Sequence, residues 1–106
     1  MLKNSLFCAV IVAALFATPL SHASEAIVKK ARCVACHQID KKAVGASYKD
    51  VAAKYQGKSD AVAKLSDKVR NGGSGVWGEI PMPPHPADKL SDADLKTAIE
   101  WVLSLK

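Results

Sequence analysis

The sequence lacks most of what would make it a repeat, membrane or nucleic-acid-binding protein. It has no internal repeat and no low-complexity tract. No stretch alternates apolar and polar residues with a convincing period of two, so no sheet of consequence is predicted. The basic residues form no stripe interleaved with aromatics, which argues against nucleic acid as a partner. The apolar run from Leu6 to Ala17 is too short to span a bilayer. Cysteine is nearly absent: of the three, Cys8 falls inside that run, which leaves Cys33 and Cys36 for the rest of the chain. A disulfide between two residues so close would seal a tiny loop and stabilise little.

What is present begins with an export signal. Lys3 supplies a positive charge, Leu6 to Ala17 an apolar stretch, Pro19 a break, and Ser21-His22-Ala23 small residues at the two positions a signal peptidase reads. The expected cut after Ala23 leaves a single domain from Ser24 to Lys106, which is 83 residues. Losing Lys3 from a net charge of +5 leaves a mild positive balance of +4, suited to acidic partners. A chain this short buries a thin core and needs a staple, and two neighbouring cysteines do not supply one by themselves.

The patterning is helical. A first helix is expected from about Ser24 into the cysteine pair. Ser47 before Tyr48-Lys49-Asp50 reads as a capped helix start, and Gly57 as that helix's end. Ser59 and Asp60 open a third helix with Val62, Leu65 and Val69 at helical spacing, stopped by Asn71-Gly72-Gly73. Ser91-Asp92-Ala93-Asp94 caps a last helix whose Leu95, Ile99, Val102 and Leu103 share one face. Between the third and fourth helices, Gly72 to Pro86 holds four of the six glycines and four of the five prolines. A loop that long in so small a domain has a task. Its Pro81-Met82-Pro83-Pro84 segment is stiffened around one methionine.

Cys33-Val34-Ala35-Cys36-His37 carries the chemistry. Cys-x-x-Cys-His is the attachment signature of a c-type haem. Two thiols on one helical turn add to the two vinyl groups of one porphyrin, and the adjacent histidine lies under the iron. Three other readings compete. A thioredoxin-like pair follows a strand, and none precedes this motif. A structural zinc site takes four ligands from separated pairs, for which adjacent Cys36 and His37 are awkward. A plain disulfide leaves the histidine without a role. Two residues compete for the iron's sixth position: Met82, in the stiffened loop far from His37, and His85, the one histidine after the motif. A methionine thioether stabilises ferrous iron and raises the reduction potential relative to two histidines. With both axial positions taken, a one-electron carrier is expected rather than an enzyme. A haem enzyme or gas sensor with an open sixth site is the alternative, separable by its high-spin optical spectrum.

Cys33 to His37, Val44-Gly45, Tyr48 to Ala52, Asn71 to Gly78, Ile80 to Pro84, Ser91 to Leu95 and Trp101 to Leu103 together resemble the bacterial cytochrome c-551 (cytochrome c8) family. The likeness covers essentially all of residues 24–106. It implies an all-α class I cytochrome c fold, about four short helices around one covalently bound haem, with the first and last helices crossing. It implies one haem c on Cys33 and Cys36, axial ligation by His37 and Met82, and propionate contacts from Trp77 and from a basic residue at Lys68 or Arg70. It further implies a monomeric periplasmic shuttle without stable membrane insertion. Such a shuttle takes electrons from a membrane cytochrome complex and delivers them to a nitrite reductase or terminal oxidase. Two positions depart from the family pattern. Ala46 follows Gly45 where the family usually has proline, and His85 stands where it often has asparagine. The prolines beside His85 are expected to keep its ring near the haem edge.

Overall fold

The computed structural model describes residues 20–106. Most of the segment read as an export signal, residues 1–19, lies outside the described residues, and for residues 20–23 only the helical backbone is described. Four α-helices and one 3-10 turn follow in chain order, with no strand among the described residues and one isolated bridge between Gly73 and Met82.

α1 spans Leu20–Lys30 and closes on Lys29 and Lys30, whose charges suit the negative end of a helix. It is already helical before Ser24, the residue at which the sequence expectation began it. It also stops short of the cysteine motif, contrary to the sequence expectation. Arg32 takes a left-handed backbone (φ 63), the one non-glycine residue with positive φ among those described, and separates α1 from the 3-10 turn Cys33–Ala35. A side chain in that conformation costs about 1–2 kcal/mol, so the break is imposed by the packing on either side of it.

α2 (Tyr48–Tyr55) starts where Ser47 Oγ accepts the amide of Asp50 at 3.1 Å, and Gly57 (φ 75) follows its end. α3 (Ala61–Asn71) is preceded by Asp60, which does not cap the helix with its side chain and instead pairs with Lys64 at 3.0 Å. That lysine holds the exposed Asp60 carboxyl below its ordinary value. α4 (Asp92–Ser104) starts at Ser91, whose hydroxyl accepts the Asp94 amide at 3.2 Å.

α4 is the centre of the packing and touches each of the other three helices. Leu95, Ala98, Ile99 and Val102 form its buried face. Leu90, Leu95 and Ile99 make the core, against which Ile27 and Ala31 of α1, Val62, Leu65 and Val69 of α3, and Leu103 are packed. Burying each leucine or isoleucine there contributes about 1.5–3 kcal/mol. The core is therefore small, and its Leu90, Leu95 and Ile99 also form the floor of a cleft. Across that cleft the Cys33–His37 turn faces the loop that follows α3.

Candidate haem site

One wall of the cleft is built around His37. The amides of Cys36 and His37 both donate to the Cys33 carbonyl, at 3.1 and 2.9 Å, so one tight turn carries both thiols and the imidazole. The thiols are free and half-buried. Burial pushes the Cys33 thiol up, with the neighbouring Cys36 adding to the rise against a backbone hydrogen bond that lowers it. The chain then folds back on the turn, since Gly45 donates to the Cys36 carbonyl at 2.8 Å and Tyr48 to the Gln38 carbonyl at 2.9 Å. This return sets the Ala46 carbonyl 2.7 Å from His37 Nδ1. A carbonyl only accepts, so Nδ1 carries the hydrogen and Nε2 keeps its lone pair for a metal. The ring stacks on Tyr48 with centroids 5.5 Å apart and planes 21° apart, and Tyr48 in turn meets the edge of Trp101 at 5.7 Å. Gly45 presses so closely that a Cβ there would lie 2.5 Å from His37 Cε1. The substituted residue Ala46 thus still supplies the carbonyl that orients His37.

The other wall holds Met82 by its backbone. Gly73 donates to the Met82 carbonyl at 3.0 Å and accepts from the Met82 amide at 2.9 Å. Gly72, at φ 69, lies flat against the Met82 carbonyl, where any Cβ would collide. Pro83 and Pro84 follow directly, so two of the next three residues have fixed φ.

Between the walls lie two adjoining cavities of about 200 and about 130 Å³. His37, Ala46, Leu65, Lys68, Trp77 and Met82 line both; Cys36 borders the first and Cys33 the second. The second is almost wholly apolar, with Ile27, Val51, Val69, Leu90, Leu95 and Ile99 on its walls. A flat macrocycle fits this arrangement. Two thiols stand at one edge, an imidazole with a free Nε2 on one wall and a soft thioether on the other, and an apolar floor lies between. Exposed Val44, Val76, Trp77 and Ile80 rim the mouth. Lys54 Nζ sits 5.3 Å from the centre of the Trp77 ring, bracing that loop against α2.

Of the two basic residues that the resemblance offers for a propionate, one faces the cavities, and His85, expected near the haem edge from its flanking prolines, lies apart from them. Lys68 reaches the cavities, but Arg70 borders neither. Its guanidinium is spent on the carbonyls of His85 and Leu90 and on Asp92. His85 does not border them either: its amide donates to the Val69 carbonyl at 2.9 Å, which docks the residue on the end of α3, and its Nδ1 is buried without a hydrogen-bond partner among the described residues. Of the two residues considered for the sixth position, Met82 alone shares cavity walls with His37. Sequence reasoning passed over Tyr48 and Gly45 as parts of the site. An aromatic immediately after the cap Ser47 and a glycine facing the motif were the available signals.

Four helices closing a cleft over a Cys-x-x-Cys-His turn define a class I c-type cytochrome. The sequence model of the cytochrome c family matches residues 22–106, and the chain belongs to that family. It is 47% identical over 93 residues to cytochrome c-552 of Nitrosomonas europaea, an alignment covering 88% of each chain. It is 51% identical over 82 residues to cytochrome c-551 of Pseudomonas aeruginosa, covering 77% of this chain and 76% of that one. The crystal structure of the wild-type Nitrosomonas europaea protein superposes with a TM-score of 0.71 at 50% identity, over 77% of this chain and 99% of that chain. The class 1 cytochrome MtoD of Sideroxydans lithotrophicus ES-1 superposes with a TM-score of 0.69 at 35% identity, over 80% of this chain and 95% of that one. The protein is accordingly an electron carrier with covalently attached haem c, not an enzyme. No described helix is long and apolar enough to cross a membrane.

Proposed function

We propose that the protein is a periplasmic one-electron shuttle whose iron is held by His37 Nε2 and Met82 Sδ and whose haem is bonded to Cys33 and Cys36. The observation that carries this reading is the pairing of His37 and Met82 across the same cavities, with His37 held in the tautomer that leaves Nε2 free. Haem, when bound, supplies the ferric/ferrous couple. The chain's own residues do the rest. Ala46 fixes the imidazole, the Gly73 bridge places Met82, and the apolar floor keeps water away, which together set the potential. Lys68 and Trp77 are the groups positioned to meet the propionates. Arg70 is not.

Electrons enter and leave at the rim of Val44, Val76, Trp77 and Ile80 and at the thioether edge beside Val34. Lys29, Lys30, Lys41 and Lys42 flank that edge in sequence and suit acidic partners. The donor is a membrane cytochrome complex and the acceptor a nitrite reductase or terminal oxidase. The shuttle works as a monomer, after removal of residues 1–23.

The test is the holoprotein's spectrum and mass. Protein recovered from the periplasm should have the mass of residues 24–106 plus one haem, with the colour retained through acid-acetone extraction. Ferric wild type should show the methionine-to-iron charge-transfer band. Met82→Ala should keep the attached haem, lose the band and have a lower potential. Survival of both band and potential in Met82→Ala would exclude Met82 as ligand.

A further inference from the structure

The last turn of α3 does more than end a helix. That turn and the glycines directly after it hold the segment from Met82 to Leu90. Gly73 exchanges two hydrogen bonds with Met82, and the Val69 carbonyl takes the amide of His85. Arg70 reaches further than either. Its Nη1 donates to the His85 carbonyl at 3.1 Å and to the Leu90 carbonyl, and its Nη2 donates to Asp92 Oδ1 at 2.6 Å. One guanidinium therefore joins α3 to both ends of the 85–90 segment and to the first turn of α4.

The three contacts are unequal. The Asp92 side chain is 93% exposed, so the ion pair contributes little. The Arg70 side chain is only 19% exposed, and its bonds to the two carbonyls are charge-assisted and shielded from water. A planar fork serves several acceptors at fixed angles, which the single ammonium of a lysine does not reproduce.

The geometry carries this restraint back to Met82. The segment lies on Gly72 so closely that a Cβ there would meet Pro83 and Pro84 backbone atoms at 3.0 Å as well as the Met82 carbonyl. The prolines stiffen the path from Met82 to His85. Swinging Met82 out of the cleft requires lifting that path from α3, which strains the bonds to His85. We propose that Arg70 is a positioning residue for the methionine ligand: it keeps the Met82–Leu90 segment closed on α3 and so slows release of Met82 from the iron. The proposal rests on Met82 being the axial ligand.

The test uses the ferric holoprotein and imidazole as an external ligand. Imidazole binds only after Met82 leaves, so at high concentration the binding rate levels off at the rate of Met82 release. Arg70→Gln should raise that limiting rate about tenfold, the factor equivalent to 1.4 kcal/mol. Arg70→Lys should fall between the two, and Asp92→Asn should stay within about twofold of wild type, as an exposed ion pair predicts. Val62→Ala is the control. It trims α3 against the core at the end of the helix away from Arg70, lowering overall stability while leaving every hydrogen bond from α3 and Gly73 to the segment in place, and should leave the limiting rate near that of wild type. The proposal is overturned if the Arg70→Gln rate equals wild type, or if Val62→Ala raises the rate as much for the same loss of stability. Should the glutamine variant fail to accumulate, Arg70→Lys decides alone: a rate above wild type supports the proposal and an equal rate overturns it. A wild-type ferric spectrum without the methionine band would overturn the ligand reading and this proposal together, whereas a normal band with unchanged rates overturns the proposal alone.

Discussion

The two walls of the cleft hold His37 and Met82 by opposite means. On the wall of the Cys-x-x-Cys-His turn, the functional side chain is itself gripped. His37 has a hydrogen bond at Nδ1, a stacked ring on one side and Gly45 against its edge. Ala46, Ser47 and Tyr48 beside it are all buried. On the loop wall the backbone is gripped and the side chain is not. Met82 is fixed through its amide and carbonyl by Gly73, in a segment where most residues are exposed. A wall that clamps the ring fixes where Nε2 points. A wall that clamps the main chain fixes only where the Met82 side chain starts from.

The largest effect that tests this contrast comes from adding one carbon to each wall. Gly45→Ala drives a Cβ to 2.5 Å from the imidazole in a tightly packed loop and should cost about 3 kcal/mol of stability. Gly72→Ala collides with the Met82 carbonyl at a φ of 69 and should cost about 2 kcal/mol. Denaturant melts give these losses, and spectra separate the walls. Gly45→Ala should disturb the histidine ring resonances of the ferrous protein, and Gly72→Ala should weaken the methionine charge-transfer band while leaving those resonances in place. If each variant disturbs both walls equally, the two supports are not independent.

A smaller, opposite effect is expected at Tyr48. Its hydroxyl is buried without a hydrogen-bond partner among the described residues, and burial holds it well above the ordinary tyrosine range. Tyr48→Phe keeps the stack on His37 and removes the orphaned polar group, so stability at neutral pH should rise by about 1 kcal/mol. The rate of Met82 release should not change. A loss of stability would mean that the hydroxyl is satisfied in the holoprotein.

The smallest effect is expected from Ala46→Pro, which restores the residue usual in this family. The Ala46 amide donates no hydrogen bond among the described residues, and its carbonyl, which His37 needs, is retained. Fewer unfolded conformations should add about 0.4–1 kcal/mol, with potential and spectrum unchanged. A shifted potential would show that the loop's stiffness, and not just its carbonyl, tunes the iron.

These residues also show what the sequence could reveal. The haem motif, the caps at Ser47 and Ser91 and the glycine stop of α3 were all legible, because each depends on residue types at short fixed spacing. The prolines around Met82 pointed to a segment that the structure sets across the cavities from His37. The destination of Arg70 was not legible. Its main partners are backbone carbonyls 15 and 20 residues away, and a carbonyl has no sequence signature. The expected helix running into the cysteines failed for a related reason. Arg32 takes the left-handed conformation that ends many helices, but its residue type disfavours it and so gives no sign of it in the sequence. His85 was placed near the haem edge on its neighbours in sequence alone, which carry no sign that it would line neither cavity and that its amide would bond to Val69.

The two tryptophans of the chain are divided between the walls. Trp77 belongs to the loop and is braced by Lys54, while Trp101 stands edge-on to Tyr48 behind the imidazole. Each wall therefore carries its own indole, and each indole N–H gives one resolved proton signal in a protein of this size. Opening of the loop and loosening of the histidine side, which blur together in a haem absorption spectrum, become two separately observable processes in the unmodified protein.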